Sequence, residues 1–315
     1  MASIALVGTG LVGRAWGISF ARAGYDVRLF DEVPDLARKA MAFAAEMLPM
    51  LASEDLLNGQ SSSAVAARFR VVDSLEETLD GVVHVQESTP ENLDIKKQVF
   101  ARLDRLAPAE TVLASSTSAI LPSLFTEALG GRRRCLVAHP INPPYLIPSI
   151  EVVPAPWTDP AVVERTRILM TAAGQAPIVM KRELDGFVMN RMQGALLEEA
   201  FRLVADGYAS VEDVDVGIRA GLALRWSFMG PFETMDLNAP GGIRDYILRY
   251  QQIYSRLFAS MQRRVDWGGE VMAVAEGERR ARLAAGQLQQ RQVWRDRRLM
   301  ALAAHKRRAD KDIGK

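Results

Sequence analysis

Apolar and polar positions follow two different rhythms along this chain. Up to about residue 185, short apolar runs alternate with amphipathic stretches. Runs at 4–7, 25–30, 69–72, 82–87, 111–114, 135–138 and 149–153 read as strands. Between them, Val12, Ala15, Trp16 and Phe20 recur at helical spacing, and residues 36–52 are Ala-rich and helical in pattern. Further helices are predicted over 75–79, 93–106 and 118–129. Such alternation predicts an α/β architecture, a doubly wound and mostly parallel sheet with helices on both faces. Beyond Leu184-Asp185-Gly186 the pattern is almost wholly helical, over 187–206, 211–220, 242–263 and 278–306. Two domains are expected: residues 1–185, and an all-α domain over 186–315.

The first amphipathic segment sits inside a more specific pattern. Gly8, Gly10 and Gly13 follow the first strand in G-x-G-x-x-G spacing, Gly24 ends the helix, and Asp31 closes the second strand. Strand, glycine turn, helix, strand and acid in that order form a Rossmann-type dinucleotide-binding unit. The glycines allow a tight turn, a close approach to a pyrophosphate and close helix–strand packing. The helix N-terminus, including Leu11 and Val12, offers free N–H groups to phosphate. Asp31 is suited to accept from an adenosine ribose and to repel a 2′-phosphate, so NAD is expected over NADP.

Composition narrows the class. The chain has 315 residues, is 49% apolar and carries a formal net charge of +1, which points to neither nucleic acid nor anionic membrane. Cys135 is the only cysteine, so no intrachain disulfide can form. No apolar run is long enough to span a bilayer, and no basic n-region precedes the first strand. A soluble, cytoplasmic protein is expected. The basic segment from Arg291 to Arg308 is interleaved with Asp296 and reads as a solvated helix face, with Leu299, Leu302 and Ala303 on its buried side.

Chemistry has few candidates. Of three histidines, His305 lies in the basic tail and His84 inside an apolar strand. His139 ends a strand and opens the proline-rich loop His139-Pro140-Ile141-Asn142-Pro143-Pro144. A doubly wound fold keeps its site at strand carboxyl ends, and an imidazole suits proton exchange with a hydroxyl. Glu151, in the next strand, could orient that ring. Ser118 follows the strand at 111–114 and could bond a substrate oxygen or cap a helix. Asn190 opens the first helix of the second domain. No H-E-x-x-H, C-x-x-C or Walker lysine is present, and no metal site is expected.

These segments together resemble the 3-hydroxyacyl-CoA dehydrogenase superfamily, and within it the lambda-crystallin / L-gulonate 3-dehydrogenase branch. The resemblance is carried by VGTGLVGRAW at 7–16, VQESTPENLDIKKQVFARLD at 85–104, ASSTSAI at 114–120, VAHPINPPYLIPSIEVVP at 137–154, GFVMNRMQ at 186–193, RWSFMGPFETMDLNAPGG at 225–242 and RQVWRDRRLMALAAHK at 291–306. It implies an NAD-dependent dehydrogenase in which His139 is the general base and Glu151 its partner. It also implies that Ser118 and Asn190 hold the reacting oxygen, and that Glu91 and Lys96 lie beside NAD. Arg225, just before Met229-Gly230-Pro231, is suited to clamp a substrate carboxylate. A small free 3-hydroxy carboxylate such as L-gulonate is therefore expected. A 3-hydroxyacyl-CoA and a non-catalytic, crystallin-like NADH-binding role remain the alternatives. The segment between Asp31 and Phe69 looks short for a CoA-binding helical hairpin. The apolar helices of the second domain suggest a homodimer.

Overall fold

A computed structural model describes residues 2–314. β1 (Ser3–Val7), α1 (Leu11–Arg22) and β2 (Asp26–Phe30) form the opening unit. There follow α2 (Pro34–Ser53), α3 (Ser62–Ala66), β3 (Phe69–Val71), α4 (Leu75–Leu79), β4 (His84–Glu87), α5 (Leu93–Leu106) and β5 (Val112–Ser115). After α6 (Pro122–Thr126), β6 (Cys135–Pro140), β7 (Ser149–Pro154), α7 (Pro160–Ala172) and β8 (Ala176–Val179) complete the sheet.

The strands lie in the order β3-β2-β1-β4-β5-β6-β7-β8. All neighbours are parallel except β6 and β7. The order reverses between β1 and β4, and such a switch point leaves a crevice at the strand carboxyl ends. Alternate residues of β1 enter opposite cores: Ile4 and Leu6 pack with α1, α2 and α7, whereas Ala5 and Val7 pack with α5 and Phe125. Burial on both faces explains why the strands read as continuous apolar runs.

The expected doubly wound sheet followed by helices is what the chain forms, with differences of detail. α7 and β8 had no legible pattern. α7 buries only Val162, Thr166 and Met170, so its inward stripe is broken by a threonine, and β8 is short and half-exposed. The helix expected over 118–129 shrinks to α6, because Glu91 and Thr117 engage the N–H groups of residues 118–120 and the helix starts only at Pro122. Ser118 is therefore not an N-cap.

The remaining helices are α8 (Met189–Ala205), α9 (Val211–Val216), α10 (Ala223–Trp226), α11 (Pro231–Leu237), α12 (Gly242–Ser260), α13 (Glu270–Arg282) and α14 (Leu288–Asp312). A π-helical stretch, Gly217–Leu222, joins α9 to α10. Two compact units result: residues through Asn190 with Asp296–His305, and Arg191–Arg295 with the residues from Lys306 onward. In α14, Met300 and Ala304 are the buried residues and Leu299 and Ala303 pack beside them, while Leu302 is 45% exposed. The expected inward place of Leu302 is wrong by helix phase: it projects away from the Met300–Ala304 edge. Within the second unit, Phe201 stacks on Trp267 at 4.8 Å, and Glu198 accepts from Val265 N and Trp267 Nε1.

Candidate active site

The glycine turn is built for close contact. Gly8 has φ +87°, and a Cβ there would stand 2.7 Å from the carbonyl carbon of Ser88. A Cβ on Gly13 would stand 2.0 Å from Gly8 O, so only glycine lets α1 pack against the turn. Gly10 differs: a Cβ would meet nothing within 4 Å, which leaves its outer face open to a ligand. Leu11 is 67% exposed beside it. Asp31 Oδ2 accepts from Thr9 N at 2.7 Å and Thr9 Oγ1 at 3.1 Å, and Oδ1 accepts from Val33 N at 3.0 Å. The acid that would read a ribose thus also ties the glycine turn to the end of β2. Open backbone at Gly10, a free helix N-terminus and Asp31 fit an adenine dinucleotide. Arg28, whose side chain donates to the Glu77 carbonyl in α4 and the Asp80 carbonyl just after it, is occupied elsewhere.

Val12, Ser88, Thr89, Glu91, Lys96, Ser116, Thr117 and Ser118 line a cleft of about 220 Å³. Beneath it lies a group that sequence reasoning missed. Glu87, fully buried at the end of β4, accepts from Lys96 Nζ at 3.0 and 3.1 Å, from Ser115 Oγ at 2.5 Å and from Thr89 N at 2.6 Å. Lys96 is 1% exposed. Its ammonium, expected to lie beside the cofactor, is committed to Glu87 and to Thr89 O. The available signal was an acid closing the apolar run Val82 to Gln86, with a lysine in the first turns of the following helix.

His139 and Glu151 are directly paired across β6 and β7. His139 Nδ1 lies 2.7 Å from Glu151 Oε2. The other oxygen, Oε1, accepts from Val188 N at 2.6 Å and Met189 N at 2.8 Å, at the start of α8. Glu151 is wholly buried and His139 only 4% exposed. Because a carboxylate oxygen accepts, Nδ1 is the nitrogen that donates here, and in the neutral ring the lone pair then lies on Nε2. Among the described residues nothing bonds Nε2, and that atom is not among those sealed from solvent. Phe187, with φ +48°, packs its ring 5.7 Å from the imidazole.

Three further expected residues converge. Glu91 Oε1 accepts from Ser118 N at 3.0 Å and Ala119 N at 3.1 Å, and Asn190 Nδ2 donates to Ser118 O at 2.7 Å. Ser118 is exposed, and its hydroxyl has no partner among the described residues. Glu91 therefore shapes the Ser118 loop. Arg225 is solvent-exposed in the second unit. An exposed guanidinium stays hydrated with or without a carboxylate, so Arg225 does not by itself exclude a thioester.

Residues 3–183 match the 3-hydroxyacyl-CoA dehydrogenase NAD binding domain, and residues 186–275 match the C-terminal domain of the same family. The chain belongs to the 3-hydroxyacyl-CoA dehydrogenase family. Within this family it falls in the lambda-crystallin branch. It is 40% identical to the lambda-crystallin homolog of Bos taurus, over 95% of this chain and 94% of that one. It is 43% identical to the L-carnitine dehydrogenase of Streptomyces griseus, over 74% of this chain and 69% of that one. The solved structure of 5-formyl-3-hydroxy-2-methylpyridine 4-carboxylic acid 5-dehydrogenase, an NAD-dependent dismutase, superposes with a TM-score of 0.82 at 27% identity, covering 98% of each chain. The family uses NAD for 3-hydroxyacyl-type oxidation, and NAD is the cofactor of this chain's dinucleotide fold. No described helix is long and apolar enough to cross a membrane.

Proposed function

We propose that this protein oxidises the C3 hydroxyl of a small, free 3-hydroxy carboxylate, with L-gulonate the first candidate. The observation that carries the reading is the His139–Glu151 pair, with Nδ1 2.7 Å from a carboxylate and Nε2 free. His139 Nε2 takes the hydroxyl proton, and Glu151 holds the ring and stabilises the imidazolium that forms. NAD, when bound, supplies the hydride acceptor. Gly8, Gly10, Leu11, Val12, Gly13 and Asp31 are the residues that would hold it, with Glu91 and Lys96 shaping the cleft wall. The Ser118 hydroxyl and the Asn190 amide would bond the reacting oxygen.

Two observations favour a free acid over a thioester, and Arg225 offers an exposed guanidinium that a carboxylate could use. α3 is only Ser62–Ala66 and buries Val65, so α2 lacks a long antiparallel partner for a CoA group. The L-carnitine dehydrogenase relatives are named for a free hydroxy acid. The alternative of an acyl-CoA substrate remains in the test. A homodimer through the second unit is part of the same reading, because α12 has no buried residue while Leu248 and Phe258 are 76% and 52% exposed.

The experiment is NADH formation with L-gulonate, 3-hydroxybutyrate, L-carnitine and 3-hydroxybutyryl-CoA, for the wild type, His139→Ala and Arg225→Met. Turnover of a free acid is expected. His139→Ala should keep NADH affinity and lose about a hundredfold or more in kcat, and Arg225→Met should raise KM for the acid alone. Turnover of the thioester only would overturn the free-acid reading, and near-wild-type kcat in His139→Ala would remove the base.

A further inference from the structure

Two hydroxyls in the cleft wall take no part in the chemistry above. Ser88 follows β4, Ser116 follows β5, and both line the cleft. Ser116 Oγ accepts from Trp16 Nε1 at 3.1 Å and from Gln86 Nε2 at 2.7 Å, and it shares a hydrogen bond with Ser88 Oγ at 2.9 Å. Neither nitrogen can reverse its role. An indole N–H only donates. The Gln86 amide is oriented by its second bond, from Nε2 to Ala138 O at 3.0 Å, because a carbonyl only accepts. Its oxygen correspondingly faces His84 Nε2 at 3.0 Å.

Proton counting then gives a surplus. The serine pair receives two protons from fixed donors and holds one of its own on each oxygen. One of these makes the serine–serine bond. The other has no acceptor among the described residues. The count holds whichever serine carries that last proton. Since both serines line the cleft, the surplus donor is available to a ligand there.

We propose that the Ser88–Ser116 pair is a cofactor-binding donor, giving its unused proton to an acceptor oxygen of NAD beyond its AMP half, on the second phosphate or the ribose that follows it. The placement supports this: the Ser88 carbonyl carbon lies 2.7 Å from where a Gly8 Cβ would stand, so the pair borders the glycine turn. Buried Trp16, Gln86 and His84 thereby set the polarity of a hydroxyl at the cleft wall. The proposal rests on the NAD-binding role of this fold.

The test is calorimetric titration of the full chain and its Ser88→Ala/Ser116→Ala variant with NADH, ADP-ribose and AMP. The variant should bind NADH and ADP-ribose about three- to tenfold more weakly, the range for one lost hydrogen bond, and bind AMP unchanged. Unchanged NADH affinity overturns the proposal. So does an equal loss for AMP, which would mark a general disturbance of the fold. The double substitution leaves Trp16 and Gln86 donors without an acceptor. If it melts early, Ser88→Ala/Ser116→Cys makes the same comparison, since a thiol still accepts weakly but donates poorly. Failure of the wild type to bind NADH would defeat the dinucleotide reading itself, a result separate from the variant ratio.

Discussion

Two single residues carry more than one duty. Asp31 accepts three hydrogen bonds from Thr9 and Val33 just past the carboxyl end of β2, where it is also the residue suited to read a ribose. Asp31→Ser should narrow the preference for NAD over NADP, because the charge that repels a 2′-phosphate is gone. An unchanged ratio of the two dissociation constants would show that Asp31 serves only the turn. His84 is 1% exposed, and burial pushes its pKa down from 6.5 to about 4, partly opposed by the bond to Gln86. The unfolded chain therefore takes up a proton near pH 6.5 that the folded chain refuses until about pH 4. Stability from this residue is fully present above the unfolded value and is lost as pH falls through that window. The separation corresponds to roughly 3 kcal/mol. His84→Gln should flatten the decline of Tm with acidification in this window, and an equally steep decline would assign it to other groups.

At the scale of elements, the buried Glu87–Lys96 pair joins the end of β4 to the first turns of α5. Removing one partner leaves the other charge buried and uncompensated, which costs about 3–5 kcal/mol. Lys96→Ala should therefore lower the denaturation midpoint sharply, whereas the paired change Glu87→Gln/Lys96→Met should recover most of the loss. Equal losses in both would mean that the ion pair itself, and not the stranded charge, holds the elements together. The same pair shows what could be read beforehand. The glycine turn was legible because strand, turn, helix and acid fall within one local stretch. The His139–Glu151 pair was legible because an acid and an imidazole lie on consecutive strands. Glu87 was hidden because an acid ending an apolar strand looks like the edge of a loop. Its partner, Lys96, reads from the family resemblance as a cofactor contact. The fate of Ser118 was hidden for a related reason: the carboxylate that stops the helix before Pro122 comes from Glu91, across the cleft wall. Local rhythm reports the elements; it does not report hydrogen bonds made between them.

At the scale of the whole chain, the end of the sequence returns to the beginning of the fold. Residues 296–305 of α14 belong to the unit that contains the sheet, although the residues on either side of them belong to the other. Met300, 2% exposed, and Ala304, 3% exposed, enter the core cluster of Ile4, Leu6 and Trp16. The dinucleotide domain is thus not closed by its own contiguous sequence, and its stability depends on the tail. Met300→Ala should destabilise by about 2–5 kcal/mol, the range for truncating a buried methionine. Leu302→Ala, two positions away on the exposed side of the same helix, should change stability by less than about 0.5 kcal/mol. Guanidinium melts followed through NADH binding would read both. If the two substitutions cost the same, α14 does not complete the core, and the first unit would have to be stable without it. If Met300→Ala alone is costly, loss of the tail should release NADH even though no residue of the tail lines the cleft, because the core that Met300 and Ala304 enter also holds α1, which carries the glycine turn.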